Sequence, residues 1–234
     1  MSEARPRYRA VRRRPPPPRP RRRPGRRPRA ADAGGTRQRL VAAAAVEFAA
    51  RGFAGASVDR IARTARVNKA MIYYHFPSKA ALYRDILRDM FRAVSVRVRA
   101  VAESDRSPHD KIRGFVEAIA AEAEARPHFP PIWFREIADG GAHLDEDTLA
   151  DITGIVKTLG ALMHEGVRAG RFQPVNLLLV HGGIVGPLLL YFASAGLRQR
   201  IERAGLDAAA QFTRDVVVAH VQRVTLDLLE GHRS

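Results

Sequence analysis

Between residues 36 and 230 apolar residues recur at helical spacing almost without interruption. In TRQRLVAAAAVEFAARG, Leu40, Ala44 and Phe48 fall at i, i+4 and i+8, which predicts an amphipathic helix of about four turns from Thr36 that stops at Gly52. A second, shorter helix starts at Ser57, its predicted cap. Val58, Ile61, Ala62 and Ala65 lie on one face, and Asp59 sits in the first turn, where the helix dipole favours an acid. A third begins at Asn68, a good N-cap, and ends before Pro77, because the residue preceding a proline is pushed out of the helical region. Ser78 caps a long fourth helix that runs to about Glu103 and is a natural connector.

Beyond the connector the pattern predicts helices at 108–126, 131–139, 147–170, 175–201 and 208–230, with Pro127, Pro130 and Pro131 as breaks. No run of alternating β-branched residues is bounded by hairpin turns, so the expected fold class is all-α. Residues 177–197 contain no Asp, Glu, Lys or Arg. The run is long enough for a membrane span, but His181, Ser194, Gly182, Gly183, Gly186 and Pro187 suit a helix at the centre of an oligomer interface better.

Charge divides the same 234 residues into three zones. Residues 1–30 hold 13 Arg, one Glu and 8 of the 15 prolines, and residues 31–80 hold 8 basic against 3 acidic residues. The whole chain carries +16, so the remaining body is close to neutral. The tail, taken as residues 1–33, is expected to be disordered with polyproline II character. It fits an arm that attracts phosphates, an inert solvated extension, or a stretch ahead of the true start. A basic block joined to a neutral body suits a nucleic-acid reader attached to a second domain.

The stretch VNKAMIYYHFPSK raises the sharpest chemical question, because the chain is only 7% aromatic yet sets four rings in a row here. Consecutive helical residues point about 100° apart and cannot all face inward. Ile72 and Phe76 are four apart and face the preceding helices, which leaves Lys69, Ala70, Tyr73 and Tyr74 outward. Two short helices joined by a tight turn, the second with outward polar and aromatic groups, form a helix-turn-helix. Lys69 supplies a cation, Ala70 permits close approach, and Tyr73 suits a base edge. Tyr74, His75 and Lys79 are donors suited to phosphates. Tyr74 equally fits a packing role, and His75 a local cap.

The order helix, Gly-Phe, Ser, helix, turn, YYHFPSKAAL over Thr36–Leu82 resembles the DNA-binding domain of the TetR/AcrR family of bacterial regulators. That resemblance implies an all-helical, cytoplasmic homodimer that binds a palindromic double-stranded DNA operator through a domain at residues 34–82. A small molecule entering the C-terminal domain, residues 83–234, would release it. The matching positions add Ser57 and Asn68 to the candidate DNA contacts, and Arg66 stands where relatives usually carry glycine. If the turn needs a positive φ, Arg66 is strained there, and it is also placed to reach a phosphate itself.

The effector pocket is expected between the helices of the body, among Phe115, Ile119, Phe129, Trp133, Phe134, Met163 and Tyr191, with His164 and Arg135 as polar anchors. Each also fits an ordinary core position. The last two long helices would pair with those of a second copy, and the near-neutral body favours a lipophilic effector. No HExxH, phosphate-binding glycine loop or GxSxG occurs, and there is no cysteine. Neither an enzyme nor a metal or other cofactor is expected, and no membrane partner. His109, His143 and His164 lie beside acids in sequence without a third ligand, so surface solvation is the expected role of each. The competing function class is charge-only nucleic-acid packaging through the Arg tail.

Overall fold

The computed structural model describes residues 30–206 and 211–231, with side chains from residue 34. Most of the Arg/Pro-rich tail therefore lies outside the described residues. Within them the chain forms ten α-helices and no strand: α1 (Ala30–Gly55), α2 (Val58–Thr64), α3 (Lys69–His75), α4 (Lys79–Ala102), α5 (Pro108–Ala125), α6 (Phe129–Ala138), α7 (Glu146–Arg168), α8 (Leu177–Ala193), α9 (Ala195–Arg203) and α10 (Arg214–Glu230).

The sequence signals explain most boundaries. The side chains of Asn68, Ser78, Ser107, Asp145, Asn176 and Thr213 each accept a bond from a first-turn backbone N–H and so fix the starts of α3, α4, α5, α7, α8 and α10. Ser57 holds the same position before α2, but its hydroxyl makes no cap bond, a departure from the predicted cap. Instead its N–H donates to Glu47 Oε1 at 3.1 Å. α1 starts six residues before Thr36, taking the last four residues assigned to the tail, and its backbone leaves helical geometry at Gly52 (φ 68°).

One expectation is overturned. The predicted helix 175–201 is two helices, α8 and α9, bent by 61° at Ser194. The Ser194 hydroxyl donates to the carbonyl of Leu190 at 2.6 Å, and Arg198 lies over the Tyr191 ring at 3.9 Å while donating to the Tyr191 carbonyl. These bonds take up the Leu190 and Tyr191 carbonyls beside the bend, while the Ser194 and Arg198 N–H groups keep their i→i−4 bonds to Leu190 and Ser194. Among the described residues no single helix is long and apolar enough to cross a membrane.

α1, α2 and α3 pack into a small N-terminal bundle around Leu40, Ala44, Phe48, Ile61 and Ile72, all within 5% of complete burial. α4 belongs to both halves. Leu82 and Tyr83 close the first bundle, while Phe91, Val94 and Val98 enter the second against α5 and α7. In the body α8 packs on α5, α6, α7 and α10. Gly166 lets Phe172 fold against α7, because a Cβ there would lie 1.8 Å from the Phe172 ring.

Candidate nucleic-acid interface and effector cavity

The turn between α2 and α3 fixes how the third helix is presented. The N–H of Arg66 donates to the Arg63 carbonyl at 3.1 Å and the N–H of Val67 to the Ala62 carbonyl at 3.0 Å, which together make a complete Schellman ending for α2. This ending demands a left-handed residue, and Arg66 supplies it at φ 56°, the sole non-glycine with positive φ among the described residues. Val67 then tucks against the core, and Asn68 Oδ1 accepts from the Ala70 N–H at 3.0 Å to start α3.

α3 is two-faced. Ile72 and Phe76 are buried, whereas Lys69, Ala70, Tyr73 and Tyr74 are exposed, Tyr73 by 50% and Tyr74 by 72%. At those exposures neither tyrosine belongs to the core. Lys69 is paired across the turn: its ammonium lies 2.9 Å from Asp59 Oδ1, and the hydrogen bond and charge of Asp59 raise its pKa. The sequence placed Asp59 only as a helix-dipole partner and missed this link. Arg66 and Arg63 are exposed on the same segment without an acid partner among the described residues, leaving two cations available to phosphates.

Two candidates are placed differently from expectation. Lys79 turns inward: its Nζ donates to the carbonyls of Phe53 (2.8 Å) and Ala56 (3.2 Å) and sits 4.5 Å from the Phe53 ring centre. Its charge satisfies orphan carbonyls at the end of α1, so it is not free to hold a phosphate as proposed from sequence. His75 is half-buried with its ring edge-on to Tyr74 at 5.1 Å, and its Nε2 is buried without a partner. That nitrogen faces away from solvent, again unlike the predicted phosphate donor.

In the body, α4 to α8 enclose a small cavity of about 50 Å³. Phe91 and Val94 of α4, Ile119 of α5, Phe129 and Trp133 of α6, Ile152 and Ile155 of α7, and His181, Val185 and Leu189 of α8 line it. Phe91 meets Trp133 edge-on at 4.7 Å and Phe129 at 5.4 Å. Of the pocket candidates, Ile119, Phe129 and Trp133 line this space. Phe115 and Met163 are buried core away from it, and Phe134 and His164 are exposed. Tyr191 instead faces a separate open groove of about 630 Å³ between α8, α9 and α10. Arg135, expected as an anchor, donates to the Ala50 carbonyl at 3.3 Å.

The lining residues not among the sequence candidates include His181, the α4 pair Phe91 and Val94, and the aliphatic Ile152, Ile155, Val185 and Leu189. The length of α4 marks it as a connector, and nothing in its own spacing shows that its inward face meets α6. His181 was visible as one of three side chains within the charge-free run 177–197 that can hydrogen-bond, with Tyr191 and Ser194. Burial lowers its pKa, so its ring is neutral at pH 7.

α6 links this cavity to the N-terminal bundle. One turn beyond Trp133, the fully buried Glu136 accepts bonds from the Tyr83 hydroxyl (3.1 Å) and the His143 N–H (2.7 Å), with His143 Nδ1 at 3.0 Å. His143 also packs against Phe53, with ring centres 4.1 Å apart and planes tilted by 47°, so it is a packed network residue and not a solvated one. Burial, and then the Glu136 charge, raise the pKa of Tyr83 and keep it a donor. Among the described residues no cluster of three His, Cys, Asp or Glu could hold a metal ion.

Known proteins share these features. Residues 40–86 match the model of "Bacterial regulatory proteins, tetR family". The chain is 27% identical over 152 residues to the HTH-type transcriptional regulator RutR of Escherichia coli, covering 65% of this chain and 70% of that one. It is 27% identical over 166 residues to the HTH-type transcriptional repressor NicS of Pseudomonas putida, covering 70% and 78%. The fold is that of the TetR-family regulator PfmR of Thermus thermophilus, with a TM-score of 0.64 at 21% identity over 85% of this chain and 97% of that one. The helix-turn-helix geometry and these similarities agree: residues 40–86 form a DNA-binding domain of the tetR type, and the chain is similar to HTH-type transcriptional regulators over about two thirds of its length.

Proposed function

We propose that the protein is a homodimeric repressor whose two α3 helices enter successive major grooves of a palindromic operator and whose grip is released by a small lipophilic effector in the α4–α8 cavity. The observation that carries the DNA assignment is the split of α3 into a buried Ile72/Phe76 face and an exposed Lys69/Ala70/Tyr73/Tyr74 face. Nothing else in the described structure needs two exposed tyrosines at one helix surface. Ser57, Arg66 and Asn68 flank that face, with the Ser57 hydroxyl unused by its own helix.

Dimerisation is supported by α8 and α10. Leu178 and Leu179 are 68% and 70% exposed, and Gly182, Gly183, Gly186 and Leu190 continue the same uncharged face. Val216, Val224 and Leu228 make a parallel exposed stripe on α10. Apolar area of this kind is costly in water and is covered by the matching faces of a second copy, as a four-helix bundle.

Release is supported by the cavity's size and walls. A space of about 50 Å³ is far below the roughly 300 Å³ of an occupied small-molecule site, so an effector has to push its walls apart. Two of those walls lead to the DNA-binding bundle: α4 directly, and α6 through Glu136, Tyr83, His143 and Phe53. Displacing them changes the separation of the two α3 helices from the ~34 Å that successive grooves require.

Replacing Lys69 and Tyr73 by alanine tests the interface. Affinity for an operator duplex selected in vitro should collapse, while circular dichroism and sedimentation stay as in the wild type. Undiminished operator affinity would refute the assignment.

A further inference from the structure

The α4–α8 cavity is lined mostly by apolar side chains. No Asp, Glu, Lys or Arg lines it, and its polar groups are the His181 imidazole and the Trp133 indole N–H. Neither ring nitrogen of His181 has a hydrogen-bond partner among the described residues, and the half-buried ring sits in the second turn of α8. A half-buried imidazole at the wall of an apolar cavity has a free donor and a free acceptor to offer an occupant. Opposite it stand the rings of Phe91, Phe129 and Trp133.

We infer that His181 is the polar anchor of the effector, and that the effector is a neutral, flat, largely apolar molecule carrying one hydrogen-bonding group such as an alcohol, phenol or ketone. The inference rests on the reading of this cavity as the effector site and specifies its chemistry. A neutral imidazole has one donor and one acceptor nitrogen, so it serves either kind of group. A carboxylate or ammonium would be buried without a counter-charge, which this lining penalises. The aromatic walls stack against a flat ring.

The test uses the single tryptophan of the chain, Trp133, as a reporter in the cavity wall. Emission of the full-length protein is titrated with benzyl alcohol, with ethylbenzene, which replaces its hydroxyl by a methyl group, and with benzoate. The ratio of the benzyl alcohol and ethylbenzene dissociation constants is compared between wild type and His181→Leu. Losing the anchor should shift that ratio by roughly three- to tenfold against benzyl alcohol, the worth of one hydrogen bond. His181→Asn, which keeps a donor and an acceptor, should retain most of the wild-type ratio.

An unchanged ratio in His181→Leu overturns the anchor and leaves the cavity as an effector site. Benzoate binding more tightly than benzyl alcohol overturns the neutral class. No change in Trp133 emission with any of the three overturns the cavity reading and the anchor together.

Discussion

Replacing Arg66 by glycine should make the protein more stable and a weaker DNA binder at once. Arg66 occupies the left-handed position of the α2 ending, held there by the 3.1 Å and 3.0 Å bonds of residues 66 and 67. An L-residue with a Cβ costs roughly 1–2 kcal/mol in that conformation. Glycine removes this strain but gives the unfolded chain more freedom, which returns roughly 0.4–1 kcal/mol. The net gain is about 0.5–1 kcal/mol per chain, or a rise of about 1–4 °C in Tm for a chain of this size. Against this, the exposed guanidinium lies on the segment that presents α3. Losing one phosphate contact per chain from a dimer should make the slope of log K against log salt shallower by about 1.8. The assays are differential scanning calorimetry and fluorescence anisotropy on a selected operator across a salt series. Arg66→Ala separates the two effects, since alanine keeps the strain and drops the charge: its Tm should not rise, and its slope should match that of Arg66→Gly. A lower Tm for Arg66→Gly, or a salt slope equal to the wild type, would refute the reasoning.

Other consequences follow from particular contacts. Lys79→Ala strips a charged donor from the Phe53 and Ala56 carbonyls and should cost about 1.5–3 kcal/mol in chemical denaturation. Tyr73→Ala, at an exposed position, should leave the midpoint near its wild-type value. A Cβ added at Gly186 meets no atom within 4 Å, so Gly186→Glu should keep the monomer folded and yet shift sedimentation to the monomer; a dimer of undiminished stability would move the interface elsewhere. Burial lowers the His181 pKa from its ordinary 6.5, so between the two values the unfolded chain binds a proton that the folded chain does not. Stability is therefore complete above that value and falls as the pH drops through the folded one. Urea midpoints from about pH 7.5 to 5.5 should decline less steeply in His181→Leu than in the wild type.

The fold and the recognition helix were largely legible in the sequence because they rest on local rules. Helical spacing, Asn68 and Ser78 as caps, and the i, i+4 pair Ile72 and Phe76 are fixed by residues within one or two turns of each other. A residue's inward or outward direction on a short helix follows from that periodicity alone. The abnormal position of Arg66 was pointed to by the resemblance, in which a glycine usually stands there, and the structure supplies the positive φ that explains it.

What the tertiary structure alone decided concerns where long, flexible or isolated polar side chains go. Lys79 sits on the face that would reach a phosphate, yet its four-carbon stem reaches the open carbonyls at the end of α1, 23 to 26 residues earlier in the chain. Lys69 meets Asp59, ten residues before it, only because the Arg66 turn folds α3 back beside α2. The cavity draws its walls from five helices spread over about a hundred residues, so periodicity identified Ile119, Phe129 and Trp133 as inward-facing but could not separate them from Phe115 or Met163. Spacing along one helix says which way a side chain points, and only the packing of helices distant in sequence says what it meets.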